Sequence, residues 1–321
     1  MMKKDIEFIG LYTGSNGKKG CTSNCIGCAQ TRYGDTHCNY QGTLLQIDEI
    51  IRQLPNLKKV AIFGNPDISV DPYFCNMAAK RFIEHGIMVR FSTSGVGGVE
   101  IIKKVLNGLD VDMIEYVNYS IDTIDLEKAK WLKGRKINLK DIKDAINYCK
   151  NNRVAVHLQP TIWEENKSDI DELINYFKNV LEVSDISAHF GSLEGLYDTT
   201  EIHHVAEDYL RNVYNKMIAY GAYIPKILLN DDELEEYKSF TTPCSNNDSS
   251  ILEIYLEQDG IKATYCPLLA SRHPEYMFSL TDEEINAPLR NICECPISSE
   301  TLGYKTKKLT PICRYYPVLK K

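Results

Sequence analysis

Two hydrophobic periods take turns along the first 190 residues of the chain. Period-two or continuous apolar runs at Ile6 to Tyr12, Lys59 to Phe63, Met88 to Thr93, Met113 to Ile121, Val154 to Gln159 and Asp185 to Phe190 predict strands. Between them, three-to-four-residue spacing predicts helices over Thr43 to Leu54, around Tyr73 to His85, Val99 to Leu106, Leu126 to Leu132, Leu139 to Asn151 and near Asp169 to Leu181. Strands separated by helices need right-handed crossovers and build a parallel sheet. Six such strands are fewer than the eight that close a TIM barrel. The expected fold is α/β, a partial (β/α)6 TIM-type barrel or an open sheet of the same units.

Parallel strands covered by helices normally read as unbroken apolar runs. Three of these strands do not. Asn118, Ser120 and Asp122 share one face opposite Val117, Tyr119 and Ile121. His157 and Gln159 face away from Val156 and Leu158, and Arg90, Ser92 and Ser94 oppose Val89 and Phe91. On one strand, such groups bond to neighbours or mark a strand end. On three together, they predict a lumen that binds something polar.

From about Thr241 the helical period fades, and five of the eleven cysteines fall in the last 81 residues. This predicts a barrel domain over residues 1–235 and a small, loop-rich, cysteine-rich domain over 236–321 that needs a staple. Within it, Ile251 to Tyr265 reads as a β-hairpin, with Asp259-Gly260 as its type I′ turn.

Charge and composition narrow the partners. The chain has 321 residues, 43% hydrophobic and 25% charged, with a net charge of -7 and no dense Lys/Arg block. A duplex nucleic acid or whole tRNA is therefore disfavoured, because phosphate neutralisation supplies most of such affinity. The N-terminus has no apolar signal core and no run of 18 apolar residues occurs, so a cytoplasmic location without a membrane span is expected. In that setting an odd number of cysteines points to metal ligands or core thiols rather than disulfides. Cys75 and Cys149 fall in predicted helices and read as core thiols; Cys38 lies in a polar loop.

Cys21, Cys25 and Cys28 stand within eight residues, directly after the first strand. One reading is the apolar face of a helix, against which Gly17, Gly20, Asn24 and Gly27 weigh as breakers. A second is a zinc site recruiting Cys38, although its spacing lacks the paired knuckles of zinc ribbons. The third is a 4Fe-4S cluster held by three thiolates, with one iron left open to a cofactor or substrate.

Cys-x3-Cys-x2-Cys after the first strand of a βα series resembles the signature of the radical S-adenosylmethionine (SAM) superfamily. Further segments resemble that family in the expected order. Gly64-Asn65-Pro66-Asp67 resembles its Gly-Gly-Glu-Pro segment, Thr93-Ser94-Gly95 its Thr-Asn-Gly strand end, and Asn118-Tyr119-Ser120-Ile121-Asp122 its Ser-x-Asp strand end. The resemblance covers residues 6–195. It implies SAM contacts from Gly64, Asn65, Pro66, Asp67, Ser94, Asn118, Ser120 and Asp122. It also implies an electron donor such as flavodoxin or ferredoxin. Gly27 stands where the family has an aromatic, and Asn65 and Asp67 replace its Gly and Glu. Gly95-Val96-Gly97-Gly98 lacks the dinucleotide-loop spacing and reads as a plain loop.

Cys244, then Gly260, then Cys266 resembles the SPASM or twitch domains appended to many of these enzymes. With Cys293, Cys295 and Cys313, five thiols suffice for one auxiliary 4Fe-4S cluster and not for two; zinc is the competing metal. The resemblance implies hydrogen abstraction by a 5′-deoxyadenosyl radical, with His157, Gln159 and His189 as substrate-side candidates. A small polar substrate is expected, including a nucleoside or modified base of the kind queuine lyases process, since only 20 residues precede the triad and leave no room for a peptide-leader domain. A peptide maturase is the alternative, drawing on the auxiliary-type cysteines. A non-catalytic iron–sulfur or zinc protein is a third.

Overall fold

The computed structural model describes residues 6–12, 25–26, 43–64, 67–190, 207–222, 251–257, 260–264 and 277–281. The strands are β1 (Phe8–Tyr12), β2 (Lys59–Gly64), β3 (Met88–Thr93), β4 (Ile114–Tyr119), β5 (Val156–Leu158), β6 (Thr161–Ile162), β7 (His189–Phe190), β8 (Ile251–Glu257), β9 (Gly260–Thr264) and β10 (Phe278–Ser279). The helices are α1 (Leu44–Gln53), α2 (Pro72–Glu84), α3 (Gly98–Leu106), α4 (Leu126–Lys133), α5 (Leu139–Asn151), α6 (Ile170–Asn179) and α7 (Glu207–Ala219). β3 and α5 match their predicted bounds residue for residue.

Local chemistry explains the helix starts. Thr43 and Gln46 close a reciprocal capping box on α1: Gln46 N donates to Thr43 Oγ1 and Thr43 N donates to Gln46 Oε1. Asp71 caps α2 with Pro72 in the first helical position, where a missing N–H costs nothing. Asp125 caps α4, receiving the Glu127 and Lys128 amides at 2.9 and 3.0 Å.

The main sheet runs β10-β9-β8-β1-β2-β3-β4-β5. β1 through β5 are parallel, as expected of crossover units. Their helix-facing residues, such as Ile9, Val60, Phe91 and Val117, are buried in one hydrophobic core. The opposite face carries the polar residues. It is a partial barrel: the described strands close no ring.

Two expectations need correction. The predicted sixth strand is divided: Ile186 bridges Leu158 in parallel, while His189–Phe190 pair with β6 in a separate sheet. Pro160 lies between β5 and β6 and has no N–H to continue a ladder, so pairing stops and restarts. The hairpin exists, but Glu257 pairs with Gly260, so Gly260 opens β9 with φ of 148° instead of forming the turn. Its first strand, β8, pairs in parallel with β1, from Phe8↔Ile251 to Tyr12↔Tyr255. Gln46 Nε2 ties the hairpin to α1 by donating to the Glu257 and Gly260 carbonyls at 3.1 and 3.4 Å. Among the described residues no helix is long and apolar enough to cross a membrane.

Candidate functional site

The end of α4 gathers one part of the site. A helix C-terminus leaves carbonyls without intrahelical partners, and here the triad loop uses two of them. Ile26 N donates to Leu132 O at 3.0 Å, and Cys25 Sγ donates to Lys133 O at 3.6 Å. Ile26 also packs against Leu132 and Trp163. Gly134, with φ of 64°, ends the helix in the left-handed region that glycine adopts without strain.

The side chain of Lys133 turns to the β4 strand end. Its Nζ lies 2.6 Å from Asp122 Oδ2 and donates to Ser120 Oγ at 3.0 Å. Both charged groups are buried, at 12% and 8% exposure for Lys133 and Asp122. Asp122 Oδ1 also accepts from Thr161 N at 2.9 Å. Thus the middle cysteine of the triad, Ser120 and Asp122 meet around one lysine. No sequence pattern marked Lys133; the only sign was a basic residue in the last turn of a helix.

Asp67 organises the ends of β2 and β3. Its carboxylate accepts from Ser69 N at 2.9 Å, Thr93 Oγ1 at 3.1 Å, Ser94 N at 2.7 Å and Ser94 Oγ at 2.6 Å. Two carboxylate oxygens offer about four acceptor positions, so this group is committed to the protein. Gly64, at φ of 72°, makes the fold-back possible, since a Cβ there would stand 2.6 Å from the Asp67 backbone. Asn65 and Pro66 lie outside the described residues. Arg135 donates to Ser94 Oγ at 2.7 Å, while its buried Nε has no partner among the described residues. Ser94, Ser120, Asp122 and Lys133 border a common cavity of about 10 Å³.

Deeper in the half-barrel the inward-facing residues form a string. Asn118 Nδ2 donates to Ser92 Oγ at 3.0 Å and to Gln159 Oε1 at 3.2 Å. Gln159 Nε2 donates to Ser187 Oγ at 3.0 Å, and Ser187 Oγ lies 2.7 Å from His157 Nε2. Hydrogen bonds therefore join the three polar strand faces, with Ser187, which sequence reasoning missed, as a link between Gln159 and His157. Asn118 Oδ1 is buried without a partner among the described residues, a situation that costs roughly 1–3 kcal/mol. His189 lies on β7, which pairs with β6 and not with the main sheet.

On the same face of β3, Arg90 links β1 and β4. Its guanidinium stacks 4.1 Å over the Phe8 ring and donates to the Tyr116 hydroxyl at 2.6 Å. Burial, ahead of all charges nearby, pushes the Tyr116 hydroxyl above its ordinary pKa. An aromatic stack joins β1, β2 and β8: Tyr12 stacks on Tyr255 at 4.6 Å and on Phe63 at 5.0 Å. β8 also brings the buried carboxylate of Glu253 over Gly10, whose absent Cβ would lie 2.0 Å from Glu253 Oε2.

Cys75 and Cys149 are fully buried in α2 and α5, as expected of core thiols. Burial pushes the Cys149 thiol up to about 11. Cys21, Cys28, Cys38, Cys244, Cys266, Cys293, Cys295 and Cys313 lie outside the described residues.

Comparison with known proteins agrees with this arrangement. Similar solved structures include SuiB of Streptococcus suis bound to the precursor peptide SuiA, with 12% identity over 87% of this chain and 64% of that one and a TM-score of 0.63. They also include SuiB bound to S-adenosylmethionine (14% identity, 78% of this chain, 58% of that one, TM-score 0.56). His-tagged anSMEcpe with bound AdoMet is similar too (13% identity, 85% of this chain, 74% of that one, TM-score 0.59). At such identities the likeness shows the fold, and this chain spans only 64% of the peptide-bound SuiB chain. No curated protein matches in sequence. The radical SAM superfamily matches over residues 16–177, a span that contains the cysteine triad and β2 through β6. With that match over half its length, this chain belongs to the radical SAM superfamily, whose cofactors are a 4Fe-4S cluster and S-adenosylmethionine.

Proposed function

We propose that this chain cleaves SAM reductively and removes a hydrogen atom from a small polar substrate held in the half-barrel lumen. The observation that carries the reading is the position of Cys25, whose thiol lies 3.6 Å from the Lys133 carbonyl beside the Lys133–Asp122–Ser120 cluster and would give up that hydrogen bond with its proton on becoming a thiolate ligand. Cys21, Cys25 and Cys28 would hold the cluster through three thiolates and leave one iron for the cofactor. When bound, the cluster supplies the electron that splits SAM into methionine and a 5′-deoxyadenosyl radical, which takes the substrate hydrogen.

The residues present fit these cofactors. Arg135 Nε is a buried cationic donor with no partner among the described residues, next to Ser94; it suits a carboxylate such as that of SAM. Ser94, Ser120 and Asp122 border the same cavity and offer neutral and anionic acceptors to hydroxyl and ammonium groups. Asp67 acts at one remove, holding Ser94 in place by two of its four hydrogen bonds. In the lumen, His157, Gln159 and Asn118 form a polar wall that orients the substrate, while the Tyr12, Phe63 and Tyr255 rings exclude water.

Residues 236–321 would form the auxiliary domain, with Cys244, Cys266, Cys293, Cys295 and Cys313 supplying a second cluster or a zinc site. A peptide substrate is the second reading. It is favoured by the shared fold over 87% of this chain with SuiB, whose structure contains a precursor peptide. A cytoplasmic flavodoxin or ferredoxin would deliver the electron.

The test is anaerobic reconstitution. The holoprotein should be brown, carry roughly four irons, or roughly eight with a second cluster, and release 5′-deoxyadenosine from SAM on reduction. A Cys25→Ser variant should lose that release. A colourless zinc protein that leaves SAM intact would sink the proposal.

A further inference from the structure

We propose that Ile26 is the positioning residue that keeps Cys25 at the end of α4 once its thiol has become an iron ligand, with Leu132 and Trp163 as the seat. The inference rests on the reading of the triad as a cluster site. It assigns the holding role to the one large apolar side chain between Cys21 and Cys28.

The thiol bond of Cys25 and the contacts of Ile26 respond differently to a metal. The bond from Cys25 Sγ to Lys133 O needs the thiol hydrogen. A thiolate ligand has none, and its negative charge is repelled by the carbonyl oxygen, so this bond ends when iron binds. The bond from Ile26 N to Leu132 O, at 3.0 Å, uses a backbone hydrogen that ligation does not remove. The half-buried Ile26 side chain packs against the pair Leu132 and Trp163, which are 3% and 4% exposed, in a cluster separate from the main core. Consecutive Cα atoms are about 3.8 Å apart, so a fixed Ile26 leaves Cys25 only the swing of one residue.

The seat is itself held on both sides. Asn166, 2% exposed, accepts from Trp163 N at 2.7 Å and donates to the carbonyls of Asp122 and Thr161 at 2.8 and 2.9 Å. Trp163 is thereby tied to the strand end that carries Asp122. α4, which supplies Leu132, is pinned near its start as well. Lys128 Nζ donates to both Asp169 oxygens at 2.6 and 2.7 Å, and Thr123 Oγ1 donates to Asp169 at 2.7 Å. Ile26 therefore rests on two fixed elements, and the spacing of Cys25 from Asp122 is preorganised by the protein.

No neighbour in sequence can take this role. Thr22, Ser23 and Asn24 are polar, and Gly27 has no side chain. Burial of an apolar group involves neither a proton nor an ion, so it persists through ligation and reduction.

Two measurements test this on the full chain, in a Trp131→Phe parent that leaves Trp163 as the single tryptophan. In the metal-free parent, acrylamide should quench the 4%-exposed Trp163 weakly. Ile26→Ala should raise the quenching constant several-fold, and Ile26→Leu should leave it unchanged. Equal quenching in the parent and Ile26→Ala overturns the seat. In the second measurement, reconstituted holoprotein is mixed anaerobically with an iron(II) chelator and the loss of its brown colour is followed. Iron should leave about threefold faster in Ile26→Val and about tenfold faster in Ile26→Ala than in the parent, with Ile26→Leu restoring the parental rate. The urea midpoint of the metal-free protein should stay at the parental value in all three, since Ile26 lies outside the main core. Release rates that ignore the size of the side chain, or that track a falling urea midpoint, overturn the role and leave the proposed function standing. A parent that takes up no iron overturns the proposed function, and this role with it.

Discussion

Cys25 Sγ donates to the backbone carbonyl of Lys133 across 3.6 Å, joining positions 108 residues apart. The same residue uses its side chain to pair with Asp122 at 2.6 Å. One helix end therefore positions a cysteine of the triad with its main chain and a strand-end carboxylate with its side chain.

The two roles of Lys133 separate by substitution. Lys133→Ala removes the ammonium and leaves the Asp122 carboxylate buried at 8% exposure with its charge unpaired. A loss of about 3 kcal/mol in urea unfolding is expected, together with weaker SAM binding by equilibrium titration. The carbonyl that meets Cys25 is untouched, so iron uptake on reconstitution should persist. Loss of iron with unchanged unfolding would contradict the assignment.

Asp67 is expected to be more sensitive to charge than to size. Asp67→Asn keeps the shape but presents an NH2 where Ser94 N and Ser94 Oγ now donate. About 1–3 kcal/mol of stability should be lost, measured by chemical denaturation. SAM affinity should fall with it, because Ser94 and its partner Arg135 lose their fixed positions.

Gly10 and Glu253 should be coupled. A Cβ on Gly10 would lie 2.0 Å from Glu253 Oε2 and 2.7 Å from its Cδ. Gly10→Ala should destabilise by roughly 1–3 kcal/mol through overpacking. In a Glu253→Ala background the same change should cost much less. A double-mutant cycle with no coupling energy would show that β8 does not press its carboxylate against β1.

Asp125 gives α4 a pH-dependent cap. The backbone amide of Lys128, then that of Glu127, holds its carboxyl below the usual carboxylate range. A folded-state pKa below the unfolded one contributes stability that is complete above the unfolded value and is lost as pH falls through the folded value. Wild type should therefore lose stability relative to Asp125→Asn, a neutral cap, between about pH 5 and pH 2. Parallel stability curves for the two proteins would remove the ionic part of the cap.

Much of this architecture was legible from residue order alone. Met88–Thr93 and Leu139–Asn151 were readable because strand and helix periods are local properties of a few side chains. The polar strand faces were readable for the same reason: alternation assigns Ser92, Asn118 and His157 to one side before any fold is known. The cysteine spacing pointed to the family.

What joins these pieces belonged to the tertiary structure. Lys133 meets Asp122 through the angle at which α4 packs, and Ser187 bridges Gln159 and His157 from beside the isolated Leu158–Ile186 bridge some 30 residues on. β8 enters the sheet beside β1 across more than 200 residues of chain. Such contacts have no period. They are selected when helices and strands bury their apolar faces together, and only then do the polar residues left over find which of their neighbours they must satisfy.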